Sequence, residues 1–430
     1  MDLETLVSLA KRRGFVFPSS DIYGGLSGFY DYGPYGVQML NNLKSLWWNY
    51  FVRQRPNIYG VDSAIIQNPK LWKASGHIDG FIDPMVECKK CKGRFKEEQV
   101  DVKKPCPSCK AKDSFTKPKN FNLMMKTHIG AVEDDSSVAY LRPETAGGMF
   151  TNYELVRETT RAKIPFGIGQ IGKAFRNEIS PRDFIFRVRE IEQMELQYFV
   201  NPKEANKEFD QLKEFTWRFF VNDVGLKKTS LKWHEHNKDE RAHYAAAAFD
   251  IQFKFPIGFK ELAGVHNRTD FDLKSHSEAS GKTLEYFDPE SNKKYIPHVM
   301  ESSPGLGRLL LAALADAYTE EEVKGDKRVV LKLAPQVAPV DIAILPLSKN
   351  DKLTPLAQKV YKLLVEETPL LVEYDDSQSI GKRYRRQDEI GTPQCITIDF
   401  DSLEDDSVTI RDRDTMKQER VKIAELINHL

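Results

Sequence analysis

The sequence has no excess of either charge and no long hydrophobic run. Lys and Arg together number 63, as do Asp and Glu, so the net charge at neutral pH is zero. A chain without a global positive field must use local basic patches for any contact with nucleic acid. No run of about 18 apolar residues is present, which excludes a transmembrane helix. The N-terminal segment MDLETLVSLAKRRGF lacks an apolar signal core, so we expect a cytoplasmic protein with reduced thiols.

Cysteine is also scarce, and its placement is informative. Four of the five cysteines form two Cys-x-x-Cys pairs, Cys88 with Cys91 and Cys106 with Cys109, and 14 residues separate the pairs. This spacing predicts a four-thiolate zinc site built on two tight turns. Because four protein ligands close the coordination sphere, we expect a structural Zn²⁺ rather than a catalytic one. Two independent redox or unpaired motifs are the alternative.

The chain divides into two parts with different patterns. Residues 1–335 contain strand-like runs with few intervening helices, which predicts a mainly antiparallel sheet. Within them, 86–120 form a lysine- and cysteine-rich insertion, and 201–245 form a second insertion that is helical at first and irregular over 223–243. Residues 336–430 alternate strands with helices and end in a predicted helix over 419–430, which indicates a small α/β domain.

The stretch FRNEISPRDFIFRVREIEQME, residues 175–195, carries an unusual mixture of charges. Two strand-like runs flank a Ser-Pro-Arg turn, and the second, over 186–190, alternates charged with apolar residues, so that one face is charged. Such a face suits a ligand with phosphates, an amine and a flat ring, because arginines bind phosphate oxygens and carboxylates bind amino groups. An exposed hairpin with salt bridges and no ligand is the alternative.

Four segments resemble one protein family: IYGGLSGFYDYGPYG (22–36), LRPETA (141–146), GIGQIGKAFRNEISPR (167–182) and YRRQDEIGTP (384–393). They are similar to the glycyl-tRNA synthetases of the homodimeric type, which are class II aminoacyl-tRNA synthetases, and the resemblance covers nearly the whole chain. It implies an α+β fold with a class II antiparallel β-sheet catalytic core and a zinc-binding insertion over 1–335. A C-terminal α/β anticodon-binding domain over 336–430 follows. It also implies a homodimer without membrane contact, with the helix predicted at 36–52 in the interface.

The resemblance implies that ATP, glycine and tRNA(Gly) are the substrates. Glycine is activated to enzyme-bound glycyl-adenylate with release of pyrophosphate, and is then transferred to the 3′ end of the tRNA. By this resemblance Glu178 accepts from the adenine amino group, Phe186 stacks on the ring, and Glu261 helps to hold Mg²⁺. The implied catalytic residues are Arg176 at the α-phosphate, Glu178, and Arg308 at the γ-phosphate. The implied ATP-binding set is Arg176, Asn177, Glu178, Phe186, Arg187, Val188, Arg189, Glu190, Glu261, Leu262, Gly305, Leu306, Gly307 and Arg308.

An acidic pocket is expected for the amino acid, since carboxylates can surround an ammonium group and one arginine can hold the carboxylate. The residues implied by the resemblance are Glu144, Glu192, Gln193, Glu195, Arg268, Glu301, Ser302 and Ser303. The chain departs from the family pattern here, because Ser302 stands where proline is usual and VHNR (265–268) stands where IA-x-R is usual.

The last domain contains a basic cluster around Tyr384. Its members are Lys382, Arg383, Arg385 and Arg386. Cations beside an aromatic ring suit unpaired RNA bases and their phosphates, which predicts an anticodon-binding patch. A solvated helix face is the alternative, since acidic residues follow.

Two other functions share some of these features. A class II synthetase for proline, threonine, serine or histidine would have the same fold, but acidic residues at 144, 195 and 301 and the LRPETA segment argue against it. A non-catalytic relative that binds nucleic acid would lose the arginines implied at the α- and γ-phosphates, whereas this chain keeps both, Arg176 and Arg308. Exchange of pyrophosphate into ATP, measured with single amino acids, distinguishes the three.

Overall fold

The computed structural model describes residues 1–237, 245–323 and 325–430. Its helices are α1 (Leu3–Arg12), α2 (Pro34–Trp48), α3 (Pro69–Ala74), α4 (His77–Gly80), α5 (Ala146–Thr151), α6 (Tyr153–Thr160), α7 (Ala205–Arg218), α8 (Phe271–Ser280), α9 (Leu306–Ala317), α10 (Leu353–Glu367), α11 (Ile380–Ile390), α12 (Ser402–Asp405) and α13 (Leu426–His429).

The strands of the first part are β1 (Val16–Pro18), β2 (Tyr30–Tyr32), β3 (Ile58–Gly60), β4 (Ile66–Gln67), β5 (Ile82–Glu87), β6 (Arg94–Lys96), β7 (Lys119–Asn122), β8 (Met125–His128), β9 (Val138–Leu141), β10 (Phe166–Phe175), β11 (Glu190–Val200), β12 (Leu231–Glu235), β13 (Ala247–Phe255), β14 (Gly258–Thr269), β15 (Tyr286–Asp288), β16 (Lys293–Tyr295), β17 (His298–Pro304), β18 (Tyr318–Val323) and β19 (Asp326–Leu331). Those of the last part are β20 (Ile342–Pro346), β21 (Val372–Tyr374), β22 (Gln394–Ile398), β23 (Ser407–Asp412) and β24 (Gln418–Lys422).

A seven-stranded sheet is the centre of the first part, in the order β12-β13-β14-β17-β11-β10-β3. Neighbouring strands within this sheet are antiparallel, except that β10 and β3 run parallel. The predicted mainly antiparallel sheet is therefore confirmed. Helices α2, α7 and α9 pack on one face, and α5, α6 and α8 pack on the other. Because both faces are covered, polar side chains can be kept away from water at the strand ends.

Alternation along β11 assigns each residue to one of these faces. Met194 and Leu196 belong to the core beneath α9, whereas Phe199 packs with α5 and α6 on the other face. Glu195 and Gln197 share the parity of Phe199 and are buried there. Two polar residues are thus placed inside the molecule by a strand whose apolar residues fix its register.

The structure corrects two predictions for the first part. Residues 223–243 are not simply irregular, since β12 forms an edge strand of the main sheet and Trp233 stacks on Trp217 at 5.5 Å. Residues 238–244 of that predicted segment lie outside the described residues. The run over 186–190 is not a strand, because β11 begins only at Glu190 and residues 184–186 form a 3₁₀ turn. Strand β12 was not predicted because polar residues obscure its hydrophobic pattern. A strand was wrongly predicted over 186–190 because charged and apolar residues alternate there.

The last part has a five-stranded sheet in the order β21-β20-β22-β23-β24. The first three strands are parallel and the others are antiparallel, which confirms the predicted α/β pattern. The helix predicted over 419–430 is wrong, because 418–422 form the edge strand β24, 423–425 form a 3₁₀ turn and the α-helix is limited to 426–429. Only Val421 of β24 is buried, so this strand has little hydrophobic pattern by which to recognise it.

Helix α11 lies where the last part meets the first. Arg328 on β19 donates to both carboxylate oxygens of Asp388 on α11, at 2.7 and 2.8 Å. Arg411 on β23 donates to Asp388 at 3.0 Å, and Glu321 on β18 accepts from Arg328 at 2.7 Å. Arg13 adds a contact of 2.6 Å to Glu389. Arg328, Asp388 and Arg411 are buried, whereas Glu321, Arg13 and Glu389 are partly exposed. Together these ion pairs fix the two parts against each other.

Among the described residues, the structure has no helix both long enough and apolar enough to cross a lipid bilayer.

Candidate active site

A cavity of about 240 Å³ lies where β10, β11, β14 and β17 meet the N-terminus of α9. It brings together most of the residues that the sequence singled out. The predicted residues that line it are Glu144, Arg176, Glu178, Phe186, Arg187, Val188, Glu190, Glu192, Gln193, Glu195, Glu261, Arg268, Glu301, Ser303, Gly305, Gly307 and Arg308. Cations and an aromatic ring lie towards one end of this set, and buried carboxylates lie towards the other.

Arg176 is the first residue after β10 and is held from two sides. Its Nε donates to the carbonyl oxygen of Pro143 at 3.0 Å, and its guanidinium carbon lies 5.6 Å from the centre of the Phe81 ring. The guanidinium is thereby positioned on the cavity wall, where its remaining N–H groups suit an anion.

Glu178 lies across from Arg187 on the same loop. Its side chain is only 12% exposed, and Arg187 Nη1 is 3.6 Å from its Oε2, beyond hydrogen-bond distance. Within the described residues this Oε2 has no hydrogen-bond partner. A buried acceptor without a donor is costly, so this oxygen is suited to an N–H group of a ligand.

Arg308 lies in the first turn of α9, whose N-cap is Gly305. Its Nη1 is 3.0 Å from Glu261 Oε2, and its guanidinium carbon lies 4.5 Å from the centre of the Phe186 ring. Arg308 holds the pKa of Glu261 below its usual range. The positive end of the helix dipole adds to the guanidinium charge, so this corner attracts anions.

At the other end, Glu301 on β17 accepts four hydrogen bonds. Arg268 Nη1 and Gln197 Nε2 each donate to Oε2 at 2.8 Å. His266 Nδ1 lies 2.8 Å from Oε1, and Ser303 donates to Oε1 at 3.2 Å. Burial alone would raise the pKa of Glu301, but Arg268 and His266 outweigh it and lower this pKa well below its usual range. Glu301 is therefore a fixed negative charge.

Glu195 and Glu144 have fewer donors than Glu301, and only the charge of Glu195 is poorly compensated. Glu195 is 2% exposed and accepts from Thr145 and from Gln197. Burial, together with the charges of Glu301 and Glu144, raises its pKa well above the usual value. The carboxylate of Glu144 lies 3.5 Å from His77. Burial would raise its pKa too, but His77 outweighs burial and lowers the pKa to about 2. The pocket therefore favours a ligand that carries a positive charge.

Arg268 does not supply that positive charge, because its charge is shared with another acid. Its Nε and Nη2 donate to the two carboxylate oxygens of Asp272 at 2.7 and 2.9 Å, and its Nη1 donates to Glu301. Asp272, on the first turn of α8, is 2% exposed. The guanidinium of Arg268 is therefore shared between two carboxylates, those of Glu301 and Asp272.

Some predicted residues do not line the cavity. Ser302 is wholly buried on the opposite face of β17, where its hydroxyl accepts from Thr216 at 3.1 Å. Arg189 donates to the carbonyl oxygens of Glu178 and Ser27, and so supports the loop from behind. The others are Asn177, whose N–H donates to Leu123, and Leu262 and Leu306, which are in the hydrophobic core. Glu192 reaches the cavity, but its carboxylate is 3.1 Å from Lys44.

The sequence analysis missed several residues that hold the pocket together. They are His77 beside Glu144, Thr145 bonded to Glu195, Gln197 bonded to both Glu195 and Glu301, and His266 bonded to Glu301. Gln197 follows Glu195 by two positions on β11 and His266 precedes Arg268 by two on β14, so strand periodicity could have found both. Nothing in the local sequence links His77 to Glu144, since 66 residues lie between them.

A candidate metal centre lies in a separate lobe, where β5 pairs with β6 and β7. The sulfur atoms of Cys88, Cys91, Cys106 and Cys109 all lie within 4.8 Å of one another. Cys88 and Cys109 are 3.6 Å apart, and Cys91 and Cys106 are 3.8 Å apart. A tetrahedral ion with metal–sulfur bonds of about 2.3 Å requires sulfur atoms about 3.8 Å apart. The four thiols therefore fit such an ion.

The two halves of the metal centre share one backbone design. In each half, the backbone carbonyl oxygen of the first cysteine accepts from the N–H of the residue four positions later, Lys92 or Lys110. The N–H of the same cysteine donates to the carbonyl oxygen of the next residue, Gly93 or Ala111. Lys92 and Lys110 have φ of 60° and 59°. These matching turns aim two thiols from each pair at one point, as in the predicted four-thiolate site.

The predicted basic patch on α11 is not a free cationic surface. Arg383 is fully buried and donates to the carbonyl oxygens of Pro346 and Asp375. Arg386 is ion-paired with Asp375 and also bonds to Ser377, and Arg385 donates to the carbonyl oxygen of Lys327. Only Lys382 of the four is classed as exposed. The arginines are used to hold the domain together, because α11 packs between the sheet and β19.

Comparison with known proteins agrees with this architecture. Residues 131–317 match the family model of the tRNA synthetase class II core domain (G, H, P, S and T), and residues 341–430 match that of the anticodon binding domain. In a prolyl-tRNA synthetase from Cryptosporidium parvum, solved with L-proline and AMP, the alignment covers 98% of this chain and 75% of that one. Its TM-score is 0.67 at 14% identity, a likeness of fold.

Similarity of sequence is much stronger with one group of enzymes. The chain is 51% identical over 431 residues to the glycine--tRNA ligase of Borreliella burgdorferi, covering all of this chain and 96% of the relative. It is 50% identical to those of Treponema denticola and Caldanaerobacter subterraneus, covering all of this chain and 96% and 97% of theirs. The chain therefore belongs to the glycine--tRNA ligase family of class II aminoacyl-tRNA synthetases.

Proposed function

We propose that the chain activates glycine with ATP and transfers it to tRNA(Gly). The carboxylate of glycine attacks the α-phosphorus of ATP, a new P–O bond forms, and pyrophosphate leaves; the tRNA 3′ end then displaces AMP. The observation that carries this proposal is a single cavity with arginines at one end and buried carboxylates at the other. Such a cavity holds a triphosphate and an ammonium group side by side.

The cationic end is assigned to ATP. Arg176 stabilises charge on the transferring α-phosphoryl group, and Arg308 with the N-terminus of α9 binds the terminal phosphate. Glu178 accepts from the adenine amino group through its unpartnered oxygen, and the Phe186 ring, already stacked against Arg308, supports the base. Arg187 completes this wall.

Mg²⁺ bound with ATP neutralises the β- and γ-phosphates. Glu261 is the proposed protein ligand. Its side chain is 47% exposed at the cavity edge, and its carboxylate is ionised because Arg308 lowers its pKa. An accessible, ionised carboxylate beside the phosphate-binding arginine fits this role.

The acidic end is assigned to glycine. Glu144 and Glu195 face the cavity with lone pairs that protein donors do not saturate, so they receive the ammonium group. Glu301 adds negative charge from a carboxylate that already has four donors, and Ser303 lies beside it. Glycine has no side chain, so selectivity must come from the absence of space rather than from a matching pocket.

Exchange of labelled pyrophosphate into ATP tests the activity. We expect exchange with glycine and no comparable exchange with proline, serine, threonine or histidine. Arg176→Ala should reduce exchange by about a hundredfold or more, since one transition-state contact is worth roughly 3 kcal/mol. Exchange supported equally by another amino acid would contradict the substrate assignment.

We also propose that the four thiolates bind one Zn²⁺ with a structural role. The sulfur spacing and the paired turns support a tetrahedral ion closed by protein ligands. Metal analysis of protein purified without chelator should find about one zinc per chain. Cys106→Ser should release it and loosen residues 86–120, while glycine-dependent exchange persists. Zinc retained in that variant would refute the site.

The tRNA is proposed to contact other surfaces than the arginines of α11. Ten exposed Lys and Arg side chains project from the zinc-binding insertion, namely Lys89, Lys90, Lys92, Arg94, Lys103, Lys104, Lys110, Lys112, Lys117 and Lys119. The insertion also approaches the catalytic loop, since Ser180 donates to the carbonyl oxygen of Arg94 at 3.3 Å. Lys92 and Arg94 are ion-paired with Glu87, and Lys104 is ion-paired with Asp101, while the other cations of this surface suit phosphates.

The assembly, domain limits and location remain those of the sequence analysis. We propose a catalytic part over 1–335 and an anticodon-binding part over 336–430, which is supported by a separate hydrophobic core within 342–426. Ile390 of α11 packs instead with the core of the first part. Cytoplasmic localisation and a homodimer are proposed from the family. Size-exclusion chromatography with light scattering tests the dimer, and a monomer at micromolar concentration would overturn it.

A further inference from the structure

His266 has no role in the reaction as proposed above, yet it lies on the cavity wall at its acidic end. It is on β14, two residues before Arg268, and it lines the cavity with Glu301 and Ser303. Its side chain is 20% exposed, so most of the imidazole is packed against protein. It also stands at a position where the sequence departs from the family pattern.

The imidazole lies close over the backbone of its own strand. Gly264 lies directly beneath it, and a Cβ at that position would be 2.8 Å from Cε1 and 3.0 Å from Nε2 of the ring. The ring therefore rests against the backbone of its own strand. It occupies the volume that a side chain at 264 would fill, so Gly264 permits the ring to lie flat.

Sideways movement of the ring is restricted. Nδ1 is 2.8 Å from Glu301 Oε1, and the His236 ring packs edge-on to that of His266 with centroids 6.2 Å apart. His236 in turn contacts Asp250 at 2.9 Å. Displacing the His266 ring would break its bond to a buried carboxylate that uses all four of its acceptor positions.

We propose that the His266 imidazole is a specificity-determining wall that excludes amino acids larger than glycine, while its Nδ1 keeps the Glu301 carboxylate in position. This inference rests on the proposed glycine activation. A methyl or hydroxymethyl group on the substrate must either fit in the remaining space beside Glu301 and Ser303 or displace the ring. Displacement costs a buried hydrogen bond, so the wall rejects alanine and serine by an unfavourable contact.

Two substitutions separate volume from hydrogen bonding. His266→Asn keeps an N–H donor near the position of Nδ1 but removes the outer ring atoms. His266→Ala removes both. Both variants should lower kcat/KM for glycine in the exchange assay, and His266→Ala should lower it more than His266→Asn because Glu301 then loses a donor.

The decisive measurement is kcat/KM for glycine divided by kcat/KM for alanine. Both variants should lower this ratio by about tenfold or more, the scale on which one methylene is discriminated. His298→Ala is the matched control. His298 is on β17 with the opposite parity to Glu301, and it does not line the cavity. This control should leave the ratio unchanged.

The outcomes separate the two proposals. Wild-type protein that fails to activate glycine overturns the proposed function. Wild-type protein that activates glycine, with His266→Asn discriminating against alanine as strongly as wild type, overturns the wall alone. If His298→Ala relaxes the ratio to the same extent, selectivity depends on the sheet in general, and the assignment to His266 is also overturned.

Discussion

Two clusters of buried charge differ in how completely they are balanced. At the domain junction, Asp388 receives both Arg328 and Arg411, and Glu321 receives Arg328 and Lys332. At the acidic end of the cavity, Glu301 and Asp272 share Arg268, Glu144 lies beside His77, and burial with the charges of Glu301 and Glu144 raises the pKa of Glu195. A structural cluster contains its own counter-ions. In the proposed glycine site, Glu195 lacks a paired cation, and the function proposed above assigns that role to the substrate ammonium.

The same chemical change should therefore have opposite effects on stability in the two clusters. Replacing a carboxylate by an amide removes a needed charge at the junction and an excess charge in the cavity. Pairs of such variants test whether the distinction between the clusters is real.

The largest effect is expected from Asp388→Asn. It leaves Arg328 and Arg411 buried without their carboxylate, and breaking a buried pair costs roughly 3–5 kcal/mol. The midpoint of urea unfolding should fall accordingly, while glycine-dependent exchange by the folded enzyme changes little. Asp326→Asn, whose carboxylate is 81% exposed, is the control. A loss below about 1 kcal/mol would mean that the junction does not depend on this pair.

Glu195→Gln should have the reverse profile. Because burial and two neighbouring carboxylates raise the pKa of Glu195, glutamine resembles the form that the empty site favours, and stability should be unchanged or higher. Loss of a buried partner for the ammonium should reduce kcat/KM for glycine by about a hundredfold. Destabilisation comparable to that of Asp388→Asn would show that Glu195 is structural.

The pH dependence of stability sharpens this second case. A carboxyl with a raised folded pKa stabilises the protein fully below its usual value of 4.5, and this contribution is lost as pH rises towards the folded pKa. The unfolding free energy of Glu195→Gln relative to wild type should therefore increase above pH 4.5. The slope should reach about 1.4 kcal/mol per pH unit.

Glu98→Gln, an exposed change, should show no such trend. If the difference in unfolding free energy between Glu195→Gln and wild type did not change with pH above 4.5, the pKa of Glu195 would not be raised in the folded protein.

The smallest effect is expected from Lys382→Ala on α11. The arginines beside it bond within the protein, so at most one phosphate contact is lost. The slope of the logarithm of the tRNA-binding constant against the logarithm of salt concentration should therefore change by about one or less. Changing Lys89, Lys90 and Lys92 together to alanine should flatten it more. A larger change in salt dependence from Lys382→Ala alone would show that α11 contacts the tRNA.

Several features were predictable because they depend on local chemistry. The two Cys-x-x-Cys pairs define a metal site wherever the lobe lies, since each turn positions its own two thiols. The antiparallel sheet and the α/β domain were confirmed because apolar periodicity persists over long strands. Elements with one buried residue, such as β24, were missed because they carry almost no pattern.

The sequence by itself determined which chemical groups are available: arginines for phosphates, acids for an amine and thiols for a metal. Only the tertiary structure decided which of these are free to act. Arg383 and Arg176 are equally basic in sequence, but α11 buries the first among backbone carbonyls and the strand end directs the second into a cavity. Likewise Asp388 and Glu195 are both buried acids, and only their neighbours across the fold separate support from binding. The physical reason is that charge acts through its surroundings, and those surroundings are assembled by residues far apart in the chain.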